Sequence, residues 1–219
     1  MKNKHARKLG LVILVAAASV CAANADNLVI NGSFENPVVS ASQGWNIFTA
    51  IEGWQLSSGQ QIEIQRGVNG WLPAAGNQWI ELDSDFDGPG GALNGEAASS
   101  SIFQDFDTVP GNDYELTFAF SARPGVADNQ LQISWDGQPI DLLQANGVSL
   151  KNTDWQYHTY LLSAGSTSTR LEFADMSKPD SLGTFLDDVS LVNVSRCIPE
   201  PATLCALIFG GFAVLWKRR

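Results

Sequence analysis

The sequence predicts an all-β fold: a jelly-roll β-sandwich flanked by an N-terminal signal helix and a short C-terminal transmembrane helix. Three observations predict it. Short alternating or β-branched runs are separated by clusters of Gly, Pro, Asn, Asp and Ser, the pattern of strands and turns. No convincing amphipathic helix occurs between the two ends. About nine such runs fall within one 171-residue span, Asp26 to Arg196, which suits one domain with a sizeable core.

The expected strands are Asn27 to Ile30, Ile62 to Gln65, Gln78 to Leu82, Ser100 to Phe106, Tyr114 to Ala122, Gln130 to Trp135, Gln156 to Leu162, Thr169 to Ala174 and Thr184 to Val192. In Tyr114-Glu115-Leu116-Thr117-Phe118-Ala119-Phe120 the rings and Leu116 fall on one face. Leu131-Gln132-Ile133-Ser134-Trp135 alternates in the same way. No internal repeat is present.

The ends read differently. Residues 1–25 have the three zones of a secretory signal. Lys2, Lys4, Arg7 and Lys8 are followed by an apolar run from Leu9 to Ala23. Ala23 and Ala25 are the small residues that a signal peptidase reads, so cleavage is expected after Ala25. As a helix the apolar run would rise only ~22 Å, against a hydrocarbon core of ~30 Å. In residues 197–219, Pro199-Glu200-Pro201 precedes an uncharged stretch from Ala202 to Trp216 and the basic end Lys217-Arg218-Arg219. The prolines interrupt any helix, and the basic cluster stays on the cytoplasmic side. This segment resembles the PEP-CTERM sorting signal. The resemblance implies an exosortase-type processing enzyme as partner, transient residence in the inner membrane, and delivery to the surface or matrix of a Gram-negative bacterium.

The chain carries a net charge of −10. Without the two ends, six basic residues stand against 22 acids, and residues 26–196 carry −16. Such a surface repels nucleic acid and is compatible with neutral glycans and calcium. Cys21, Cys197 and Cys205 all lie outside the 26–196 domain, so no disulfide staples it.

Asn31-Gly32-Ser33-Phe34-Glu35 near the start and Leu186-Asp187-Asp188-Val189-Ser190-Leu191 near the end resemble the opening and closing motifs of galactose-binding-like jelly rolls, which include many carbohydrate-binding modules. They imply a sandwich closed by its own ends. Gly53-Trp54, Ile62-Glu63-Ile64-Gln65, Asn77-Gln78-Trp79-Ile80-Glu81-Leu82-Asp83 and Ser121-Ala122-Arg123-Pro124-Gly125 resemble a plant cell-wall family known only as a domain of unknown function. That resemblance implies cell-wall or matrix association.

The jelly-roll resemblance also implies a structural calcium between the first turn and the last strand. Its ligands would be Glu35, Asp187 or Asp188, and carbonyls near Gly32. Simple strand phase puts Asp187 on the face of Val189 and Leu191 and slightly favours it; the alternative is a hydrogen-bonded acid capping a turn. Asp83-Ser84-Asp85-Phe86-Asp87-Gly88 mimics the start of an EF-hand loop but lacks the acid at its twelfth position, so a solvated β-connection is expected.

Trp45, Trp54, Trp71 and Trp155 adjoin Gly or Asp in loop-like text and are candidates for stacking on sugar rings, with Arg123 as a polar contact. Buried anchoring is the alternative for each. Trp79 and Trp135 lie among apolar neighbours and belong to the core. His158 sits in a strand, and no nucleophile elbow or histidine pair appears. The expectation is a non-enzymatic exported protein that binds extracellular polysaccharide. The alternatives are a matrix or adhesion protein without a sugar site and, third, a glycan hydrolase with two facing carboxylates.

Overall fold

The computed structural model describes residues 26–85 and 97–195. The signal residues Ala23 and Ala25 and the sorting residues Pro199, Glu200, Pro201, Lys217, Arg218 and Arg219 lie outside the described residues. Among the described residues, no helix is long and apolar enough to cross a membrane.

The strands are β1 (Trp45–Phe48), β2 (Ala50–Ile51), β3 (Trp54–Ser58), β4 (Ile62–Gln65), β5 (Trp79–Glu81), β6 (Asp83–Asp85), β7 (Ala97–Ser99), β8 (Ser101–Asp107), β9 (Asp113–Ser121), β10 (Asn129–Trp135), β11 (Gln138–Ala145), β12 (Gln156–Ser163), β13 (Ser168–Asp175) and β14 (Phe185–Asn193). The front sheet has the order β1-β4-β5-β14-β9-β12, and the back sheet β11-β10-β13-β8-β3-β2. All pairings are antiparallel. β6 and β7 form a separate two-stranded ribbon.

Alternation fills the space between the sheets. Tyr114, Leu116, Phe118 and Phe120 of β9 meet Ile102 and Phe106 of β8, Leu131 and Ile133 of β10, and Leu171 and Phe173 of β13 in one core. Phe118 meets Phe173 edge-on at 5.0 Å.

The sandwich is closed by its own ends. Leu28 N donates to Leu191 O (2.8 Å), Leu191 N to the Asn27 side chain (3.0 Å) and Val189 N to Gly32 O (2.9 Å). The backbone of Asn27 to Ile30 nevertheless makes too few ladder bonds to be a strand, and it turns at Asn31, whose φ is +56°. The other eight expected strands are present, within two residues at each end.

Six further strands, β1, β2, β3, β6, β7 and β11, are not apparent from the sequence. β1 and β3 begin immediately after Gly44 and Gly53, which hold φ of +84° and +77°. These glycines turn the chain into a strand, so Trp45 and Trp54 are strand residues rather than loop residues. β11 contains Pro139 and is the edge of its sheet, where a missing N–H is tolerated.

β14 departs from simple strand phase. Asp188 has φ +49°, and the register against β9 shifts between Asp187 and Ser190. This bulge reverses the alternation. Leu186, Val189 and Leu191 enter the core, while Asp187 points to the opposite face with Phe185. The inward Asp187 expected beside Val189 and Leu191 is thereby corrected.

Candidate functional site

The outer face of the front sheet should be polar and wet. Ile62 and Ile64 of β4 and Ile80 of β5 are core residues, so Glu63, Gln65, Trp79 and Glu81 point outward. Strand register places Trp45, Gln65 and Trp79 in one row, and Glu63, Glu81, Phe185 and Ser121 in the next. Yet Glu63, Gln65, Trp79, Glu81 and Asp187 are all buried.

The segment between β4 and β5 does the burying. It folds back over the face through a single 3-10 turn at Val68–Gly70 and lays Trp71 on Phe185, with ring centres 5.8 Å apart. Two carboxylates hold it down. Asp187 Oδ2 accepts from Ala74 N (2.8 Å) and Ala75 N (2.9 Å). Glu35 Oε1 accepts from Asn77 N (2.6 Å) and Gln78 N (2.9 Å). Between these tethers sits Gly76, at φ +61°, where a Cβ would run into the Glu35 carboxylate. A second arm grips the loop from the side. Trp155 Nε1 (2.8 Å) and Thr153 Oγ1 (2.6 Å) donate to Leu72 O, and Leu72 N donates to Asn152 Oδ1 (3.0 Å).

The result is an aromatic cluster centred on Phe185. Trp71, Trp79 and Trp155 surround it at 5.8, 5.7 and 6.5 Å. The Arg123 guanidinium lies over both Trp71 (5.6 Å) and Phe185 (5.7 Å), a favourable placement for a planar cation. Its Nη1 donates to both oxygens of Glu81. Glu81 also accepts from Gly183 N (2.7 Å) and from Gln65 Nε2, which donates in turn to Glu63 Oε1 (2.7 Å). Glu63 and Glu81 are direct cross-strand partners. Burial, and then the neighbouring Glu63, push the Glu81 carboxyl well above its ordinary range, and Arg123 pulls it back. Two buried polar atoms of the cluster, Gln65 Oε1 and Trp79 Nε1, have no hydrogen-bond partner. Beside this cluster Tyr157 is 56% exposed and donates to Asp188 Oδ2 (2.8 Å), which holds its phenol up at about 12.

Four of the five residues expected to bind sugar share this face. Trp71, Trp155 and Arg123 converge on Phe185, and Trp45 lies in the Gln65–Trp79 row at the sheet edge. Trp54 does not join them. It is fully buried between the sheets, 5.6 Å from Phe34 and 6.1 Å from Phe173, and its indole N–H donates to Asn31 O (3.2 Å). Sequence reasoning does not single out Glu63, Gln65, Glu81 or Phe185 as site residues. The available signal is the strict alternation of Ile62-Glu63-Ile64-Gln65 and Trp79-Ile80-Glu81, which defines a second face without showing that a loop covers it.

The oxygens expected to hold calcium are engaged in hydrogen bonds in this arrangement. Glu35 Oε1 and both Asp187 oxygens accept backbone N–H groups, Asp188 Oδ2 takes the Tyr157 hydroxyl, and Gly32 O takes Val189 N. Among the described residues, no three His, Cys, Asp or Glu side chains converge on a metal position. In this arrangement Glu35 and Asp187 serve as hydrogen-bonded acids that secure the loop.

Asp187 yields a pH prediction. Burial pushes its carboxyl up to about 7 despite three N–H donors. The folded state therefore holds this proton more tightly than the unfolded chain. The stability it contributes is full below about pH 4 and is lost as the pH rises through about 7. Denaturant titration from about pH 5 to about pH 8 should show falling stability, on the order of 2 kcal/mol from this group. Asp187→Asn, which keeps an acceptor toward Ala74 and Ala75, should flatten the slope. An unchanged slope in that variant would remove Asp187 as its source.

Fold and site define a class: an antiparallel β-sandwich carrying a loop-roofed aromatic and acidic outer face. The chain belongs to the family described as "Protein of unknown function (DUF642)", which it matches over residues 27–192. Halomucin of Haloquadratum walsbyi is 28% identical across 89% of this chain, and the match spans only 2% of halomucin. A family 61 carbohydrate-binding module in complex with β-1,4-galactotriose superposes with a TM-score of 0.48 at 16% identity, covering 77% of this chain and 99% of the module. A family 35 carbohydrate-binding module from Clostridium thermocellum gives 0.42 at 14% identity, covering 64% and 93%.

Proposed function

We infer that this protein binds polysaccharide without cleaving it, through the outer face of the front sheet around Arg123. The observation that carries the reading is the meeting of Trp71, Trp155 and Arg123 on Phe185, next to Glu81 and two unpartnered polar atoms. A sugar ring offers C–H faces to indoles, and its hydroxyls both donate and accept. The half-exposed Trp155 and exposed Tyr157 supply faces, Arg123 supplies donors, and the exposed Asp154 and half-exposed Asp188 supply acceptors. An aromatic row beside polar side chains favours sugar over a purely adhesive protein contact.

A hydrolase is disfavoured by placement. Glu63 and Glu81 do face each other, but as cross-strand neighbours under the roof loop, linked by Gln65, with Glu81 paired to Arg123. A glycosidic bond needs its two carboxylates on opposite sides of an accessible cleft.

The two ends complete the reading. The protein is exported by a signal cleaved after Ala25, held transiently in the inner membrane, and passed by an exosortase-type enzyme to the cell surface or matrix.

The test is retention of the full chain on a panel of immobilised polysaccharides and oligosaccharides that includes β-1,4-galactotriose. Trp155→Ala should weaken retention at least about tenfold, consistent with loss of one stacking anchor, while melting falls by less than in a core tryptophan variant, the indole also holding Leu72 O. Equal retention of Trp155→Ala and the native chain would eliminate this face as the sugar site.

A further inference from the structure

A second polar cluster borders the Glu81 side of the proposed sugar face, at one end of the sandwich, where Gly183 donates to Glu81 and packs on Asp83. Four backbone segments meet there. Leu82 N donates to Thr184 O (3.2 Å), Ser100 N to Leu82 O (2.6 Å) and Asp175 N to Ser100 O (3.1 Å). Immediately beside these bonds, Asp83 and Ser99 are direct partners in the β6–β7 ribbon.

Side-chain oxygens accumulate at this junction. Asp83 spends Oδ2 on Asp180 N (2.7 Å) and Ser181 N (3.0 Å), and Asp175 spends Oδ1 on the Ser177 hydroxyl (2.7 Å). The second oxygen of each carboxylate, Asp83 Oδ1 and Asp175 Oδ2, has no hydrogen-bond partner. Thr184 Oγ1 likewise has none, and Ser99 Oγ lies beside the Asp175 carboxyl outside hydrogen-bond geometry. Asp83 and Thr184 are 0% exposed and Asp175 is 6% exposed. Among the described residues, no Lys or Arg forms an ion pair with either carboxylate.

Buried carboxylates without a compensating charge are costly, and each unpaired oxygen adds to the penalty. A proton can relieve one carboxylate but leaves the charge of the other uncompensated. A hard divalent cation balances both charges and takes hydroxyl as well as carboxylate oxygens as ligands. We propose that Asp83, Ser99, Asp175 and Thr184 form a Ca2+ site that clamps the β6–β7 ribbon and the start of β14 to the end of β13. Two carboxylates and two hydroxyls supply part of the coordination shell, and water or backbone carbonyls complete it. Burial and the nearby Asp83 raise the Asp175 carboxyl to about 6, in keeping with uncompensated negative charge at this position. The clamp differs in place and ligands from the Glu35 and Asp187 tethers.

Thermal melting of the full chain at neutral pH, in saturating CaCl2 and in excess EDTA, tests the site. Calcium should raise Tm by at least about 5 °C. In Asp83→Asn/Asp175→Asn, Tm in EDTA should equal or exceed that of the native chain, because the repulsion is gone, and the calcium response should vanish. Asp175→Asn alone should lose most of the response and serves if the double variant does not fold. A native chain that melts identically in CaCl2 and EDTA would overturn the site. So would a calcium response that persists in Asp175→Asn, or one that disappears only in Glu35→Gln/Asp187→Asn.

Discussion

Replacing Arg123 by methionine is expected to cost about 3–5 kcal/mol of folding stability, the range seen when one partner of a buried ion pair is removed. At about 2–4 °C per kcal/mol for a domain of this size, melting should fall by roughly 10 °C. Glu81 is 1% exposed and lies directly opposite Glu63 in the strand register. Without the guanidinium, Glu81 retains only neutral donors from Gly183 N and Gln65. Charge burial and Glu63 repulsion would then act unopposed. Methionine keeps most of the contact with Trp71 and Phe185, so the loss reports charge rather than volume. Glu81→Gln should restore a large part of the lost stability in the double variant, since the uncompensated carboxylate is then gone. Urea unfolding of the native chain, both single variants and the double variant measures the coupling. A loss below about 1 kcal/mol for Arg123→Met would mean that the pair does not hold this face together.

The second large effect is expected at Trp54. Its replacement by alanine should cost about 3–5 kcal/mol, the usual range for emptying a core indole site. The ring is fully buried against Phe34 and Phe173, and removing it also strips Asn31 O of its donor. Sugar retention by the fraction that remains folded should match the native chain. Trp155→Ala should show the reverse pattern, with weak retention and a smaller loss of melting temperature than Trp54→Ala. Thermal melting and polysaccharide retention of the two variants separate a core tryptophan from a surface one. A Trp54→Ala chain that melts like the native one, yet loses retention, would reverse the assignment.

These two residues show how much of the site was legible in the sequence. Trp54 and Trp155 have similar local surroundings: an indole next to Gly or Asp in turn-like text. Local text cannot say which turn faces the other sheet and which faces water. Arg123 was visible as one of six basic residues in a domain with 22 acids, and pairing with an acid was its expected role. Its partner was not visible, because Glu81 lies 42 positions away and is reached only after β5, β14 and β9 have assembled. Asp187 was identified as an acid that needs a partner. Its direction is not legible in the sequence, because the Asp188 bulge reverses the strand phase and a bulge leaves no mark in the alternation of Leu186-Asp187-Asp188-Val189.

The sequence by itself determined the class of fold, the positions of most long strands, the strong acidity of the middle and the character expected of the two ends. These are properties of composition and of period-two alternation, which short stretches of chain carry on their own. Only the tertiary structure decided which polar face would be buried. Alternation gives every strand two faces and assigns one to the core. It cannot show that residues 66–78 will fold back and enclose the other face, because the tethers that hold them, Glu35 and Asp187, come from opposite ends of the chain. Burial behind that loop makes Glu63, Gln65, Glu81 and Arg123 a site and not an ordinary solvated strand surface, since charges and unpaired polar atoms become costly only once water is excluded.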